Sequence, residues 1–263
     1  MPILTLTTDF GLKDGFVGAL KGVIWGICPQ AQIADISHTI TPQNVLEGAF
    51  TLWRAYSFFP AGTAHVAVVD PGVGTQRRPL AMHAGKWYFV GPDNGLFTPV
   101  LADAERNDWP VEIVHLTNKD YWLPKVSHTF HGRDVFAPVG AHLAMGVSLA
   151  DLGPAIKDPV RLAMPKPEKT STGWRAHVTG MDVFGNLTTD LPAREVAGEK
   201  HVTFRLRGYE VRGLAASYGH RQPGELVALV DSENFVEIAV VNGSAAQVTG
   251  AQVGDVIEVV TGK

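Results

Sequence analysis

Between Pro154 and Gly173 the chain changes the kind of structure that it can form. Pro154, Pro159, Pro165 and Pro167 stand there among Lys, Glu, Thr and Ser without a sustained apolar period, which describes an extended linker over residues 156–173. Before it, strand and helix patterns alternate. Ile3–Thr8, Ile33–Ile36 and Ala64–Asp70 are β-rich runs, and Phe16, Val17, Leu20 and Ile24 recur at helical spacing within Asp14–Trp25. Thr41-Pro42 is placed to open a second helix as N-cap and first residue, with Leu46, Phe50 and Trp53 on its apolar face. Leu80–His83 and Trp87–Val90 read as a hairpin turned at Ala84-Gly85, and Asn94–Leu101 and Arg133–Met145 as further helices. After the linker helical signals nearly vanish. Ala176–Val183, His201–Leu206, Glu225–Val230, Val236–Val241 and Val256–Val260 are short strands between Gly, Pro, Asp and Asn turns. The expected fold is an α/β N-terminal domain with a mostly parallel central sheet over residues 1–155. An all-β, barrel-like C-terminal domain is expected over residues 174–263.

With 45% hydrophobic residues in 263, each part has enough apolar material for a core of its own. A formal charge of -4 and the lack of any Lys/Arg cluster argue against a nucleic-acid partner. No apolar stretch reaches membrane-spanning length, and the N-terminal Met-Pro-Ile-Leu-Thr reads as a first strand and not as a signal sequence. Cys28, the single cysteine, cannot form an internal disulfide, so a cytoplasmic setting is expected.

Polar clusters follow the predicted strands. Thr7-Thr8-Asp9-Phe10-Gly11 places a carboxylate just past the first, where an acid can accept two ribose hydroxyl hydrogen bonds or simply cap the next helix. Val68-Val69-Asp70-Pro71-Gly72-Val73-Gly74 runs into Thr75-Gln76-Arg77-Arg78. Glycines there allow the chain to turn sharply, and Arg77 is expected to fold back on Asp70. An ordinary structural ion pair would explain the same residues. Ser127–Asp134 contains His131 immediately before a glycine and a helix start, which is a position for a histidine that acts on a ligand. His128, His131 and Asp134 also raise the alternative of a metal site, although no recognised ligand spacing supports it. In the second half, Asp182-Val183-Phe184-Gly185-Asn186 joins an acid, an aromatic and an amide. An Asn can read an adenine-like edge through a donor and an acceptor together, and an aromatic can stack on such a ring. Asp231-Ser232-Glu233-Asn234-Phe235 is a second polar turn of the same character.

In this order, Thr7–Gly11, Val69–Thr75, Gly91-Pro92-Asp93-Asn94-Gly95, Phe130–Asp134 and Phe184–Asn186 resemble the S-adenosyl-L-methionine hydroxide adenosyltransferases, hydrolytic relatives of the fluorinase and chlorinase enzymes. The resemblance implies conversion of S-adenosylmethionine and water to adenosine and methionine without a metal or other cofactor. It also implies a homotrimer with active sites between one subunit's N-terminal domain and its neighbour's C-terminal domain. Asp70, Arg77 and His131 occupy the family's catalytic triad positions, and Asp9 that of the ribose acid. Asp182, Phe184 and Asn186 match residues near methionine and adenine. Ser232 and Glu233 fall where the amino-acid moiety is contacted, and Tyr218 is assigned to adenine stacking. Asp14, Gln43 and Phe130 complete the substrate-binding set. The turn from Asp182 to Asn186 is one residue shorter than in the halogenating relatives, which also carry a tyrosine where this chain has Asp70. A carboxylate about 4 Å from a halide repels it by roughly 4 kcal/mol at an effective dielectric near 20, so water is the expected nucleophile. Two other readings use the same residues: an S-adenosylmethionine or adenosine sensor without turnover, and a metal-dependent nucleoside hydrolase on His128, His131 and Asp134.

Overall fold

The computed structural model describes residues 1–262. Its chain divides into two compact units, Met1–Leu162 and the residues from Ala163 onward.

In the first unit, alternation of apolar side chains along the strands fills both faces of one sheet. Its elements are β1 (Ile3–Thr8), α1 (Phe16–Ile27), β2 (Gln32–Ser37), α2 (Val45–Tyr56), β3 (Ala64–Val68), β4 (Pro79–Ala84), β5 (Trp87–Pro92), α3 (Thr98–Arg106), β6 (Val111–His115), α4 (Ala137–Ala144) and α5 (Leu149–Leu152). The sheet order is β2-β1-β3-β5-β4-β6, parallel from β2 to β5, with β4 antiparallel to both of its neighbours. Leu4, Leu6, Val66 and Val68 point to one face and pack with Leu20 and Ile24 of α1 and Val139 of α4. Ala67, Val69 and Phe89 point to the other, with Leu52 and Tyr56 of α2 and Val100 of α3. Ile156 and Leu162, from the Pro-rich stretch, also pack on that second face. Backbone bonds hold them there: the Ile156 N–H donates to the Ile113 carbonyl at 2.9 Å and the Leu162 N–H to Thr98 Oγ1 at 2.9 Å.

Helix α1 runs two residues later than the Asp14–Trp25 expected, and three further helix starts differ from the sequence expectation. Helix α2 begins at Val45, because Gln43 is in the left-handed region (φ 66°) and Asn44 caps the helix, its Oδ1 accepting from the Glu47 N–H at 3.1 Å. Asn94 belongs to a turn, and α3 starts at Thr98 with Pro99 in its first turn. The expected helix from Arg133 is a π-helical turn over Gly132–Phe136 that runs into α4. Pro138 has no N–H for the Asp134 carbonyl, which accepts from the Leu123 N–H at 2.9 Å instead.

One core histidine makes this sheet acid-sensitive. His65 is fully buried, stacks on Phe89 with ring centroids 5.1 Å apart and shares a 2.7 Å hydrogen bond with Thr5 Oγ1; burial pushes its pKa down to about 3. Its folded-state value lies below the unfolded one, so only the unfolded chain takes the proton between about pH 6.5 and 3. Stability from this group is complete above pH 6.5 and falls by about 1.4 kcal/mol per pH unit below it. Urea midpoints measured from pH 7 to 4.5 should therefore decline less steeply in His65→Leu than in the wild type. Parallel declines would contradict this.

The second unit is an antiparallel sheet with strand order β11-β10-β14-β8-β9-β13-β12, with β7 on β8. The strands are β7 (Glu168–Lys169), β8 (Gly173–Met181), β9 (Leu187–Pro192), β10 (His201–Leu206), β11 (Tyr209–Arg212), β12 (Leu226–Val230), β13 (Phe235–Val240) and β14 (Val256–Gly262), with α6 (Ala245–Thr249) between the last two. Ala176, Val178, Leu187, Leu191, Val236, Ile238, Ile257 and Val259 line the interior of this nearly closed barrel. Toward its seam, the Ala215 N–H donates to the Ala228 carbonyl at 2.7 Å.

Candidate active site

Register places the two acids of the first unit side by side. Thr8 of β1 is opposite Val68 of β3, so Asp9 and Asp70 both lie just beyond the carboxyl ends of adjacent parallel strands. Open parallel sheets bind ligands at such edges.

The segment after β3 is a series of tight turns. The Val73 N–H donates to the Asp70 carbonyl at 3.2 Å, and the Thr75 N–H and Oγ1 donate to the Gly72 carbonyl at 3.1 and 2.7 Å. These bonds return the chain so that Arg77 meets Asp70. Arg77 Nε lies 2.9 and 3.0 Å from the two carboxylate oxygens, and Nη2 donates to Oδ2 as well. The same Nη2 lies 2.9 Å from His131 Nδ1, and the guanidinium sits 5.1 Å from the Phe136 ring centroid. Both charged side chains are almost excluded from water, Arg77 at 9% and Asp70 at 5% exposure.

That chain of contacts fixes the histidine's protonation. A guanidinium only donates, so His131 Nδ1 must accept, and the neutral ring carries its proton on Nε2. Burial first, and then the Arg77 charge, hold the His131 pKa below its ordinary value. Proton uptake at Nδ1 would cost the Arg77 bond. The pH profile of any activity that depends on this pair should thus stay flat as the pH falls to 6.5, with its acid limb below. A limb centred above 6.5 would overturn the assignment.

The loop that carries His131 is anchored on both sides. Asp134 Oδ2 accepts from the Ser127 N–H at 2.8 Å and Oγ at 2.7 Å, while Oδ1 accepts from Arg133 Nε at 2.6 Å. Against the pull of burial, which raises it, these bonds and the Arg133 charge leave the Asp134 carboxyl below its usual range. Gly74 (φ 77°) lies against this loop so closely that a Cβ would stand 2.5 Å from the His128 carbonyl oxygen. A glycine is therefore required there, for space and for backbone angle. Asp134 and His131 Nδ1 are occupied by Arg133, Ser127 and Arg77, which removes them from the metal alternative. Among the described residues no group of three His, Cys, Asp or Glu side chains is arranged to hold an ion.

Asp9 is not a helix cap, since α1 is preceded by Gly15 without a side-chain cap. Its Oδ2 accepts from the Gln43 N–H at 2.7 Å, the left-handed backbone of Gln43 directing that N–H inward. Asp14 is exposed in the turn before α1. Phe130 packs edge-on against Phe10 and Phe16, with centroids 5.7 and 5.3 Å away. Two supporting residues were not among the expected site residues. Asn94 Nδ2 donates to the Val69 carbonyl at 2.8 Å, directly before Asp70, and Arg78 engages Asp93 and Asp158 at 2.8 and 2.9 Å. The Gly91–Gly95 motif carried this signal; its Asn braces the backbone before Asp70.

In the second unit the β8–β9 turn is held by Asp182. Its Oδ1 accepts from the Phe184 and Asn186 N–H groups, both at 2.9 Å, and its Oδ2 from Asn186 Nδ2 at 2.8 Å. Gly185 (φ 80°) leaves no room for a Cβ beside Ser244, and the Ala246 N–H donates to the Gly185 carbonyl at 3.0 Å. The Tyr218 hydroxyl lies 3.5 Å from Asn186 Nδ2 and donates to Glu237 Oε1 at 2.5 Å. Burial and then Glu237 raise the Tyr218 pKa. Phe184 projects into solvent at 72% exposure. Ser232 and Glu233 lie in the β12–β13 turn, where Ser232 Oγ donates to Glu233 Oε1 at 2.9 Å. Thus Asp182, Asn186 and Tyr218 form one cluster, and Ser232 and Glu233 form another around Asp231, which accepts from the Glu233 and Phe235 N–H groups.

Models of the SAM hydroxide adenosyltransferase N-terminal and C-terminal domains match residues 4–153 and 176–258. A protein named (R)-S-adenosyl-L-methionine hydrolase from Salinispora tropica is 42% identical over 272 residues, spanning 99% of this chain and 98% of its own length. One of the same name from Thermus thermophilus is 38% identical, spanning 94% of this chain and 95% of its own. A protein named fluorinase from Actinoplanes is 32% identical over 72% of each chain. The crystal structure of an uncharacterized conserved protein from Thermotoga maritima superposes with a TM-score of 0.87 at 39% identity, covering 98% of this chain and 99% of that one.

Proposed function

The chain belongs to the SAM hydroxide adenosyltransferase family, and we propose that its Asp70–Arg77–His131 cluster hydrolyses S-adenosyl-L-methionine to adenosine and L-methionine by in-line attack of water on the ribose C5′. The observation that carries this is the bonded chain from Asp70 through Arg77 to His131 at the strand edge beside Asp9. The C5′–S bond breaks, a C5′–O bond forms, methionine leaves as a neutral thioether, and water loses one proton. Because the leaving group needs no protonation, most of the acceleration comes from placing the water in line.

Asp70 is the acceptor for the water proton, since Oδ1 faces Arg77 through Nε alone and keeps a second lone pair free of the guanidinium. Arg77 anchors the carboxylate. With Nδ1 facing Arg77, His131 donates from Nε2–H to the water oxygen and takes no proton from it. Asp9 holds the ribose hydroxyls, with Gln43 as its brace, and Phe130 and Asp14 border the same edge. Asp182, Phe184, Asn186 and Tyr218 hold methionine and adenine, with Ser232 and Glu233 as a further contact.

The assembly we propose is a homotrimer in which each site combines the first unit of one subunit with the second unit of its neighbour. The largely exposed Phe184 supports this, since an aromatic at a ligand turn gains most from being covered. The free, buried Cys28 supports a cytoplasmic setting. Among the described residues no helix is long and apolar enough to cross a membrane.

The deciding experiment is product identification. With purified protein and S-adenosylmethionine the nucleoside formed should be adenosine, including at molar chloride or fluoride. Pairing with Arg77 reduces the repulsion that a lone Asp70 would exert on a halide from about 4 to roughly 1–2 kcal/mol. That still favours neutral water, which is present at far higher concentration. A 5′-halo-adenosine as the main product, or no turnover, would refute the reading.

A further inference from the structure

The turn that presents Asp9 is clamped by a residue outside the candidate site, His38. Strand β2 carries an extra residue where it leaves β1: the register moves from Leu6 opposite Asp35 to Thr7 opposite Ser37. A bulge of this kind re-aims the side chains beyond it, and the buried His38 ring ends against Thr8, with Nδ1 2.8 Å from Thr8 Oγ1. The His38 backbone reaches the other side of the turn, its carbonyl accepting from the Gly11 N–H at 2.7 Å. Thr8 Oγ1 also accepts from the Phe10 N–H at 3.2 Å. The residues before and after Asp9 are thus tied to His38, while the Gln43 N–H, from the same β2–α2 connection, donates to the carboxylate itself. Every proton along this chain has a direction. His38 Nε2 lies 3.1 Å from Asp35 Oδ1, close but poorly aligned, and Asp35 Oδ2 accepts from Lys21 Nζ at 2.6 Å. Against the pull of burial, which raises it, Lys21 and His38 leave the Asp35 carboxyl below its usual range. A carboxylate only accepts, so Nε2 carries the ring proton, Nδ1 accepts from the Thr8 hydroxyl, and the Thr8 oxygen keeps a lone pair for Phe10.

We propose that His38 is a positioning residue for ribose recognition: by fixing Thr8, Phe10 and Gly11 it sets the place and bearing of the Asp9 carboxylate, and it touches no substrate itself. Its side chain is 2% exposed, which leaves no surface for a ligand. A carboxylate that takes two neighbouring hydroxyls has to be held close to one orientation, because both bonds weaken steeply with misalignment. Without the clamp, only the Gln43 bond would direct the Asp9 carboxylate. This inference rests on the proposed placement of the substrate's ribose at Asp9.

The test is equilibrium binding of adenosine and 2′,3′-dideoxyadenosine to the intact protein by calorimetry. Wild type should bind adenosine more tightly by about tenfold or more, the scale of hydrogen bonds to a charged group. His38→Ala, which leaves the Thr8 proton without an acceptor, should lower that ratio by about fivefold, with the affinity for the dideoxynucleoside unchanged. Thr8→Val has the same shape without the hydroxyl; it should repeat the loss, and it covers the case in which His38→Ala does not fold. Added to Asp9→Ala, His38→Ala should change neither affinity further, because its effect travels through that carboxylate. A merely structural histidine would weaken both nucleosides alike, or would still act on adenosine when Asp9 is absent. Either result overturns the inference, as does an unchanged ratio in folded His38→Ala or Thr8→Val, or equal binding of the two nucleosides by the wild type. If Asp9→Ala keeps the wild-type ratio, the ribose is held elsewhere and the inference falls with that placement, while adenosine release from S-adenosylmethionine still decides the hydrolase reading.

Discussion

Asp70→Asn should lower kcat for S-adenosylmethionine hydrolysis by roughly 10²- to 10⁴-fold, the range over which positioned general bases act, while KM changes little. The amide has nearly the carboxylate's shape and keeps one oxygen for Arg77, so the packing around the pair is retained. What is lost is the negative acceptor for the water proton and the charge that opposes the guanidinium. Steady-state kinetics over pH 6–9 measure the effect. If Asn at this position keeps more than about a tenth of the wild-type kcat, the proton goes elsewhere and Asp70 is a structural anchor. A rise in KM with unchanged kcat would instead place the residue in ground-state binding.

Arg77→Ala is expected to do comparable damage by another route. Its partner carboxylate is 5% exposed and would be left as a buried charge without a counterion, and His131 Nδ1 would lose its donor. Breaking a buried pair from one side typically costs about 3–5 kcal/mol. Chemical denaturation should show a loss of that size, with activity falling below detection. The double variant Asp70→Leu/Arg77→Met separates charge from volume. It should regain most of the stability, since apolar residues of similar size often replace buried ion pairs at no net cost, and yet remain inactive. A stable, active Arg77→Ala protein would remove the ion pair from the mechanism.

How much of this was legible in the sequence depended on the range of the interactions involved. The strands Ile3–Thr8 and His201–Leu206 match the sequence reading to the residue, the first because a continuous β-rich run is buried on both faces and the second because its burial alternates with period two. Asp70 and Arg77 were paired correctly because the glycine turn between them leaves few other paths. Helix starts were missed where one residue's backbone decides, as at Gln43 with φ 66°, which no propensity signals for a glutamine. Strands β6, β9 and β11 and helix α6 were not anticipated, since short elements draw their stability from neighbours distant in the chain. The bond from the Tyr218 hydroxyl to Glu237, 19 positions along, has no local signal in the sequence. The protonation of His131 likewise depends on Arg77, 54 residues upstream.

The π-helical turn after His131 also acts as an angular spacer. Each residue of a helix advances the chain by about 100°, so the widened turn over Gly132–Phe136 sets the rotation at which His131 leaves the rigid body of α4. Within the turn, Asp134 holds the loop through Ser127 and Arg133, and a Cβ at Gly132 would press on the Phe10 ring. Insertion or deletion of a single residue would swing the imidazole about a quarter of a revolution away from Arg77. The segment therefore has almost no freedom in length, which makes a length-conserving gap pattern, together with Gly132 and Asp134, the feature to look for when chains of this kind are set side by side.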